Sequence, residues 1–134
     1  MRFRSSSLVT VMKRDLELVR KLLIFFDEKP GPEHVEVPPI QGYADSVIKY
    51  HLVLLHDAGY LRCEPVKSST SDRTIYVLPF ELTWAGHEFL EKVRDQHVWD
   101  EVIRDIKSRG FLSASVDFVK MLADTAIRKR LGLT

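Results

Sequence analysis

Residues 43–61 read YADSVIKYHLVLLHDAGYL, and this stretch decides the fold of the chain. Ile48, Leu52 and Leu55 recur at steps of three and four, a spacing that predicts an amphipathic helix over residues 43–58 with these side chains inward. Gly59 then stands where a left-handed residue commonly closes a helix. The stretch therefore predicts a helix that ends in a tight turn and leads directly into an apolar segment.

The segment after Gly59 predicts a β-hairpin with a long polar tip. Two short strand candidates span residues 60–66 and 74–78, and the turn-forming run KSSTSDR, residues 67–73, lies between them. A helix, a glycine and a hairpin in this order are the plan of a winged helix. Residues 51–61, HLVLLHDAGYL, resemble the end of the recognition helix in many bacterial winged-helix regulators, where leucines anchor the helix and the glycine turns the chain into the wing.

An amphipathic helix is also predicted upstream, from about Met12 to the break at residues 30–32, Pro-Gly-Pro. Its predicted inward residues are Leu16, Val19, Leu22, Leu23 and Phe26, and its predicted polar face carries Lys13, Arg14, Glu17, Arg20 and Lys21. Residues 35–42 alternate briefly like a strand, but two prolines cannot donate to a ladder, so a short edge strand is predicted there. The first eleven residues lack periodicity and are predicted to be a disordered arm, residues 1–11.

Helices are predicted for the rest of the chain. Thr83 is placed to cap a helix that carries Trp84, Phe89, Leu90 and Val93, and a further helical segment around residues 98–106 ends at Gly110. Ser113 or Ser115 can cap a last helix whose inward side is Val116, Val119, Leu122, Ala123, Ala126 and Ile127. The expected fold class is α+β: a winged helix-turn-helix-like core over residues 12–80 with a small antiparallel wing, and C-terminal helices over residues 81–134 that pack on it within a single domain.

Three stretches of the chain resemble a known family. They are residues 12–23 (MKRDLELVRKLL), residues 50–52 (YHL) and residues 82–94 (LTWAGHEFLEKVR). Through them, residues 12 to about 134 are similar to a small family of bacterial and prophage proteins that is recorded only as a domain of unknown function. The resemblance implies a fold and a phage-associated setting, and it brings neither an activity nor site residues.

Length and composition limit the class of protein. With 134 residues, 45% of them hydrophobic, the chain is long enough for one domain with a real core. No apolar run approaches the ~20 residues of a membrane span, and the short, broken apolar stretch after the basic start does not match a secretory signal. Cys63 is the single cysteine, which excludes an intrachain disulfide and a cysteine-based zinc site, so a cytoplasmic protein is expected.

One segment superficially resembles a catalytic metal motif. His87, Glu88 and Glu91 follow the spacing of a helical zinc-protease site, but Glu91 stands where the second histidine ligand is needed. Local hydrogen bonds of Thr83, His87 and Glu88 at the entry of the helix are the favoured interpretation.

The other nucleophilic and acid–base candidates are equally weak. His51 and His56 are five residues apart and do not stack on one helical face. A pairing of Cys63 with one of them is an alternative to the commoner role of a buried, unreactive thiol. The six glycines are scattered, so no phosphate loop is present. The chain is therefore predicted to be non-enzymatic, with no metal, cofactor or small-molecule ligand.

Charge is distributed unevenly along the chain. Residues 1–29 carry a local charge of +3, residues 30–109 a charge of −4, and residues 110–134 a charge of +2. The order of helix, glycine and hairpin nevertheless favours duplex DNA binding through helix 43–58 and wing 67–73. The residues expected at this interface are Ser46, Lys49 and Tyr50 on the helix, Lys67 and Arg73 on the wing, and Lys13 and Arg14 near the chain start.

A protein-interaction or dimerisation module without nucleic-acid binding is the open alternative, because a fold does not fix a function. Large apolar residues follow the hairpin, among them Trp84, Trp99, Phe111 and Phe118. They fit either an intramolecular core or a homodimer interface through the C-terminal helices, for which helix 115–131 is suited.

Overall fold

The computed structural model describes residues 12–111 and 113–133, so the predicted arm over residues 1–11 lies outside the described residues. Within them the chain forms five helices and one antiparallel hairpin. The elements are α1 (Leu16–Glu28), α2 (Asp45–Asp57), β1 (Leu61–Lys67), β2 (Thr74–Leu82), α3 (Trp84–Val93), α4 (Gln96–Ser108) and α5 (Val116–Arg130). The expected α+β class is confirmed.

Helix α1 begins at Leu16 rather than near Met12, because Asp15 is its N-cap. The Asp15 carboxylate accepts hydrogen bonds from the backbone N–H groups of Glu17 (2.9 Å) and Leu18 (3.2 Å). The five predicted inward residues of this helix are all buried. Its apolar periodicity therefore identified the core face.

Arg20 is the exception to the predicted polar face of α1, since only 7% of the residue is exposed. Its Nε donates to the carbonyl oxygen of Val93 (2.7 Å), and its Nη2 donates to that of Arg94 (2.7 Å). A third bond runs from Nη1 to Oε1 of Gln96 at 3.3 Å. The guanidinium thus satisfies carbonyl groups at the C-terminus of α3, where helices leave acceptors without intrahelical partners.

Helix α2 agrees closely with the predicted span of residues 43–58, and Ile48, Leu52 and Leu55 are buried as expected. Gly59 has a φ of +80°, and the N–H of Tyr60 donates to the carbonyl of Leu55 at 2.9 Å. This left-handed turn feeds the chain into β1.

The hairpin pairs β1 with β2 from Leu61 opposite Leu82 to Lys67 opposite Thr74. Strand β2 is longer than the predicted 74–78, because Pro79 pairs beside an irregularity near Arg62 and Cys63 where the missing N–H is tolerated. The predicted edge strand over residues 35–42 is wrong: the sheet of the described residues has two strands. Val35 N–H donates to the carbonyl of Pro79 (3.2 Å), but the two prolines that follow in the chain offer no donors for a ladder.

The three C-terminal helices begin at side-chain caps. Thr83 accepts from the N–H of Gly86 (3.1 Å), Asp95 caps α4, and Ser115 rather than Ser113 caps α5. Helix α5 packs on α3 and α4, while α3 packs on α1, so all the elements contribute to one hydrophobic core. Among the described helices, none combines the length and apolar character that crossing a bilayer requires.

Candidate nucleic-acid interface

The outward side of α2 carries the predicted helix contacts. Ser46 is exposed, whereas Lys49 and Tyr50 are half-buried. Their positions follow from the burial of Ile48 and Leu52 on the opposite side of the same helix. The predicted helix contacts therefore all belong to the N-terminal half of α2.

The wing lies against one flank of this half-helix. The Lys49 ammonium is 5.7 Å from the ring centroid of Tyr76 in β2, a cation–π contact that ties the helix to the outer part of the hairpin. Tyr76 is close to the tip, where Lys67 pairs with Thr74 and the backbone of Arg73 accepts from the N–H of Ser68 at 2.8 Å. Lys67 and Arg73 are exposed. Tyr76 pairs with Val66, so the Lys49–Tyr76 contact is at the level of the strand residue that precedes Lys67.

A groove lies along the other flank of α2. It is bounded by α1, α2 and α4 and has a volume of about 570 Å³. Lys13, Arg14, Val47 and Lys107 line it, so the cations near the start of α1 face the same half of α2. Nη2 of Arg14 also donates to the carbonyl oxygen of Ala114 (2.7 Å), which holds this side chain beside the groove.

Lys107 is a cation of the groove that the sequence analysis missed. It lies on α4, whose three carboxylates outnumber its two cations, and it is 60 positions away from Val47 of α2. Arg104 adjoins it in a shallower continuation of the groove, which also includes Ile103 and Ser108. No local motif predicts that these two cations line the groove, because only the fold brings α4 beside α1 and α2.

The carboxylates of the groove are already engaged within the protein. Asp15 caps α1, and Glu17 accepts a hydrogen bond from the indole Nε1 of Trp99 at 2.7 Å. Burial raises the pKa of Tyr43 to about 12, with the neighbouring Asp15 carboxylate contributing in the same direction. Tyr43 therefore remains a neutral phenol at physiological pH. The positive charge of this flank belongs to Lys13, Arg14 and Lys107.

Acidic side chains interrupt the surface around α2. Asp45 is exposed at the first turn of the helix, and Asp72 is exposed in the hairpin tip. On the strands, Arg62 pairs with Glu81 at 2.8 Å and is not a spare cation. The interface is consequently a mixed surface with cations on both flanks, and it does not form a uniform positive patch.

His87 makes one of the predicted local bonds through its backbone, because its N–H donates to the carbonyl of Thr83 at 3.0 Å. Its side chain is engaged elsewhere. Its Nδ1 lies 3.6 Å from Oδ1 of Asp27 on α1, and Oδ2 of the same aspartate pairs with Arg94 at 3.0 Å. The imidazole of His87 therefore lies beside α1, while the local bond at the entry of α3 is made by the backbone of this residue. Across residues 12–111 and 113–133, no group of three histidine, cysteine or carboxylate side chains is placed to hold a metal ion.

His51 has a structural role at the junction of α1 and α2. The residue is fully buried, and the backbone N–H of Asp15 donates to its Nε2 at 2.8 Å. Since a backbone N–H can only donate, the ring proton is on Nδ1, which donates to the carbonyl of Val47 at 2.9 Å. Both ring nitrogens are used by the backbone, so the alternative of a His51–Cys63 nucleophilic pair is excluded.

Cys63 is predicted to be unreactive in the folded protein. Burial raises the pKa of its thiol to about 12, whereas an exposed cysteine has a pKa near ~8.5. Ellman's reagent at pH 8 should therefore react at least ~100-fold more slowly with the native protein than with protein in denaturant, because the thiolate is the reacting species. Equal rates in the two states would show that the thiol is not protected.

The large apolar residues divide between core and surface. Trp99 is buried and Phe118 packs partly against the core, whereas Trp84 is 81% exposed at the start of α3. Phe111 and Met121 are exposed as well. The sequence left core and interface open for this set, and the structure assigns Trp99 to the core.

Comparison with known proteins gives a family match and a relative that covers most of the chain. A family model described as "Hypothetical protein (DUF2513)" matches residues 13–112. An "Uncharacterized protein" of Haemophilus influenzae is 32% identical over 122 residues, which cover 90% of this chain and 100% of that protein. No solved structure matches the chain.

Proposed function

Because this chain belongs to the family of hypothetical proteins described as DUF2513, whose description carries no activity, we propose its function from its own surface: it binds duplex DNA without catalysing a reaction. Helix α2 and the hairpin tip are the contact elements. The cytoplasmic location and the phage-associated setting remain predictions of the sequence.

The arrangement of α1, α2 and the hairpin supports a winged-helix assignment. Helix α2 packs on α1 and on both strands, and the hairpin follows it after a single left-handed turn. The chain departs from a three-helix version of this fold, since residues 29–44 form a loop and turns where a further helix would precede α2. Helix α2 is the element available to enter a major groove, which is wide enough for one helix.

One observation carries the DNA-binding proposal: the N-terminal half of α2 contacts the hairpin through Lys49 and Tyr76, and it contacts the groove lined by Lys13 and Arg14 through Val47. Lys67 and Arg73 belong to the tip of that hairpin. A helix in a groove of DNA is bordered by a phosphate backbone on each side, so cations on both flanks suit phosphate contacts. Ser46 and Tyr50 lie between them.

Reversing the charge of the wing tests this proposal. The double variant Lys67→Glu/Arg73→Glu should weaken the binding of a fluorescein-labelled mixed-sequence duplex at least about tenfold at ~50 mM salt, and the salt slope should fall by about 2 because two phosphate contacts are lost. Fluorescence anisotropy at ~50 and ~200 mM salt measures both quantities. Both residues are exposed at the tip, so the melting temperature should be unchanged.

The matched control is Arg128→Glu/Arg130→Glu, which makes the same change of charge on exposed residues in the last turn of α5. Helix α5 packs chiefly on α3 and α4, away from the wing, so this variant should retain most of the DNA affinity. Equal losses of DNA affinity in the two double variants would mean that the net charge of the protein, and not the wing, governs binding. An unchanged affinity in the wing variant would refute the proposed interface.

A protein-binding or dimer-forming module is the second candidate function. The exposed indole of Trp84 favours it, because an aromatic side chain left in water is a common anchor of protein interfaces. Sedimentation equilibrium separates the two functions. A dimer that dissociates in Trp84→Ala, in a protein that binds no duplex at low salt, would favour this candidate over DNA binding.

A further inference from the structure

The groove between α1, α2 and α4 has an apolar floor that DNA binding does not require. Its aliphatic lining residues come from three helices and are Leu16, Val47, Ile103 and Ile106. A volume of about 570 Å³ falls within the range of small-molecule sites, roughly 300–1,000 Å³. Phosphates and sugars gain little from such a floor, whereas a hydrocarbon removes its own surface and that of the floor from water.

The charged side chains at the rim of the groove determine which sign of ligand charge is favoured. Lys13, Arg14 and Lys107 line the groove together with the carboxylates Asp15 and Glu17. Both carboxylates already accept hydrogen bonds inside the protein. Within residues 12–111 and 113–133, no carboxylate oxygen lies within 4.0 Å of the ammonium of Lys13 or Lys107. Three cations against two carboxylates leave one excess positive charge, which matches a monoanion.

We propose that this groove binds a small amphipathic carboxylate, of the class of medium-chain fatty acids. The hydrocarbon chain lies against the aliphatic floor, and the carboxylate accepts hydrogen bonds from the cations of the rim. The sequence predicted no small-molecule ligand, because the lining residues are separated by up to 100 positions and form no motif.

The position of the groove also gives the ligand a regulatory effect, a part of the inference that rests on the proposed function. Lys13 and Arg14 belong both to the groove and to the proposed DNA interface. A carboxylate that occupies them neutralises phosphate contacts on one flank of α2. Bound ligand therefore lowers the affinity for duplex DNA.

Octanoate is the probe for the direct test, with octylammonium and octan-1-ol as controls of the same chain length. Isothermal titration calorimetry should show octanoate binding at least about tenfold more tightly than either control, since charge-assisted hydrogen bonds add to the shared hydrophobic contribution. Methyl resonances of Val47, Ile103 and Ile106 should shift on addition of octanoate. Octylammonium binding as tightly as octanoate would overturn the proposal, and so would the absence of octanoate binding.

Lys107→Glu tests the site itself, and Arg109→Glu is its matched control. Both residues are exposed at the C-terminal end of α4, but only Lys107 lines the groove. The first variant should weaken octanoate binding about tenfold, and the second should change it less than about threefold. Equal effects of the two variants would place the ligand outside the groove and overturn the assignment.

The failure of this inference is distinguishable from the failure of the proposed function. Calorimetry with octanoate needs no DNA, so the two proposals are tested separately. If the protein binds octanoate but no duplex, the first result supports the groove as a ligand site and the second refutes DNA binding. With both ligands bound, octanoate should reduce the anisotropy of the labelled duplex in the wild type and much less in Lys107→Glu. An unchanged anisotropy at saturating octanoate would overturn the regulatory part.

Discussion

Replacing Arg20 by methionine should lower the free energy of unfolding by about 4 kcal/mol, a large loss for a single substitution. Methionine has similar length and fills the site, but it cannot donate a hydrogen bond. The carbonyl groups of Val93 and Arg94 then lose donors that now lie 2.7 Å away. Each buried acceptor left without a partner costs about 1–3 kcal/mol.

Arg20 joins two parts of the chain that are more than 70 positions apart. Its guanidinium lies 5.7 Å from the ring centroid of Trp99 and reaches the turn between α3 and α4. Arg20→Lys should recover only part of the loss, since an ammonium cannot reproduce the planar fork that serves two carbonyl groups at once. We therefore expect the free energy of unfolding to decrease from the wild type to Arg20→Lys and further to Arg20→Met.

Lys21→Met is the matched control for the urea unfolding curves. Lys21 is the exposed neighbour of Arg20 in the same helix, and its ammonium lies 5.9 Å from the ring centroid of Tyr43. The control should lose less than about 1 kcal/mol, the usual range for an exposed cation–π contact. A loss below about 1 kcal/mol in Arg20→Met itself would show that water replaces the guanidinium at both carbonyl groups.

Arg20 differs from the rest of α1, and this contrast shows which parts of the fold are determined by the local sequence. Periodic apolar residues and capping side chains act within a few positions, so α2, the turn at Gly59 and the start of α3 at Thr83 were predictable. The sequence placed Arg20 with its charged neighbours because its partners lie in a distant turn. The sequence left a pairing of Cys63 with His51 open as an alternative for the same reason.

The candidate interface also contains residues that the local sequence predicts and residues that it does not predict. Lys67 and Arg73 were predictable as hairpin-tip cations, because a polar run between two strands must lie at a tip. Whether they lie near Lys13 and Arg14 depends on how α1, α2 and the hairpin pack, which no single segment encodes. Lys107 could not be predicted, since its own helix is acidic and the groove exists only after three helices have packed together.

The stretch LTWAGH, residues 82–87, has a structural explanation in the contact between α3 and the turn after α2. The N–H of Thr83 donates to the carbonyl of Tyr60 at 3.1 Å, and the Thr83 hydroxyl donates to the carbonyl of Gly59. The same hydroxyl accepts from the N–H of Gly86. One threonine thus caps α3 and fixes it to the base of the hairpin, so this stretch needs no catalytic role to account for it.

Gly86→Ala should destabilise the protein by about 3 kcal/mol, the upper part of the range for adding a methyl group to a packed site. A Cβ atom at this position would lie 2.2 Å from the backbone carbonyl oxygen of Tyr60 and 3.3 Å from Cβ of Leu82. The oxygen is held by the N–H of Thr83, so it cannot move aside without breaking that bond. Helix α3 must therefore shift away from the hairpin base.

Helix propensity alone predicts that Gly86→Ala stabilises the protein. The sign of the measured stability change therefore tests whether α3 lies close to the carbonyl of Tyr60. Alanine in a helix interior is favoured over glycine by about 1 kcal/mol, so an unobstructed Gly86→Ala would raise the melting temperature. The exposed neighbour provides the control: Ala85→Gly should lose less than about 1 kcal/mol through propensity alone, because it lies in the first turn of α3. Thermal unfolding of both variants measures the two effects separately. A stabilised Gly86→Ala would mean that α3 does not rest against the carbonyl of Tyr60, whereas a loss well beyond that of Ala85→Gly would confirm the contact.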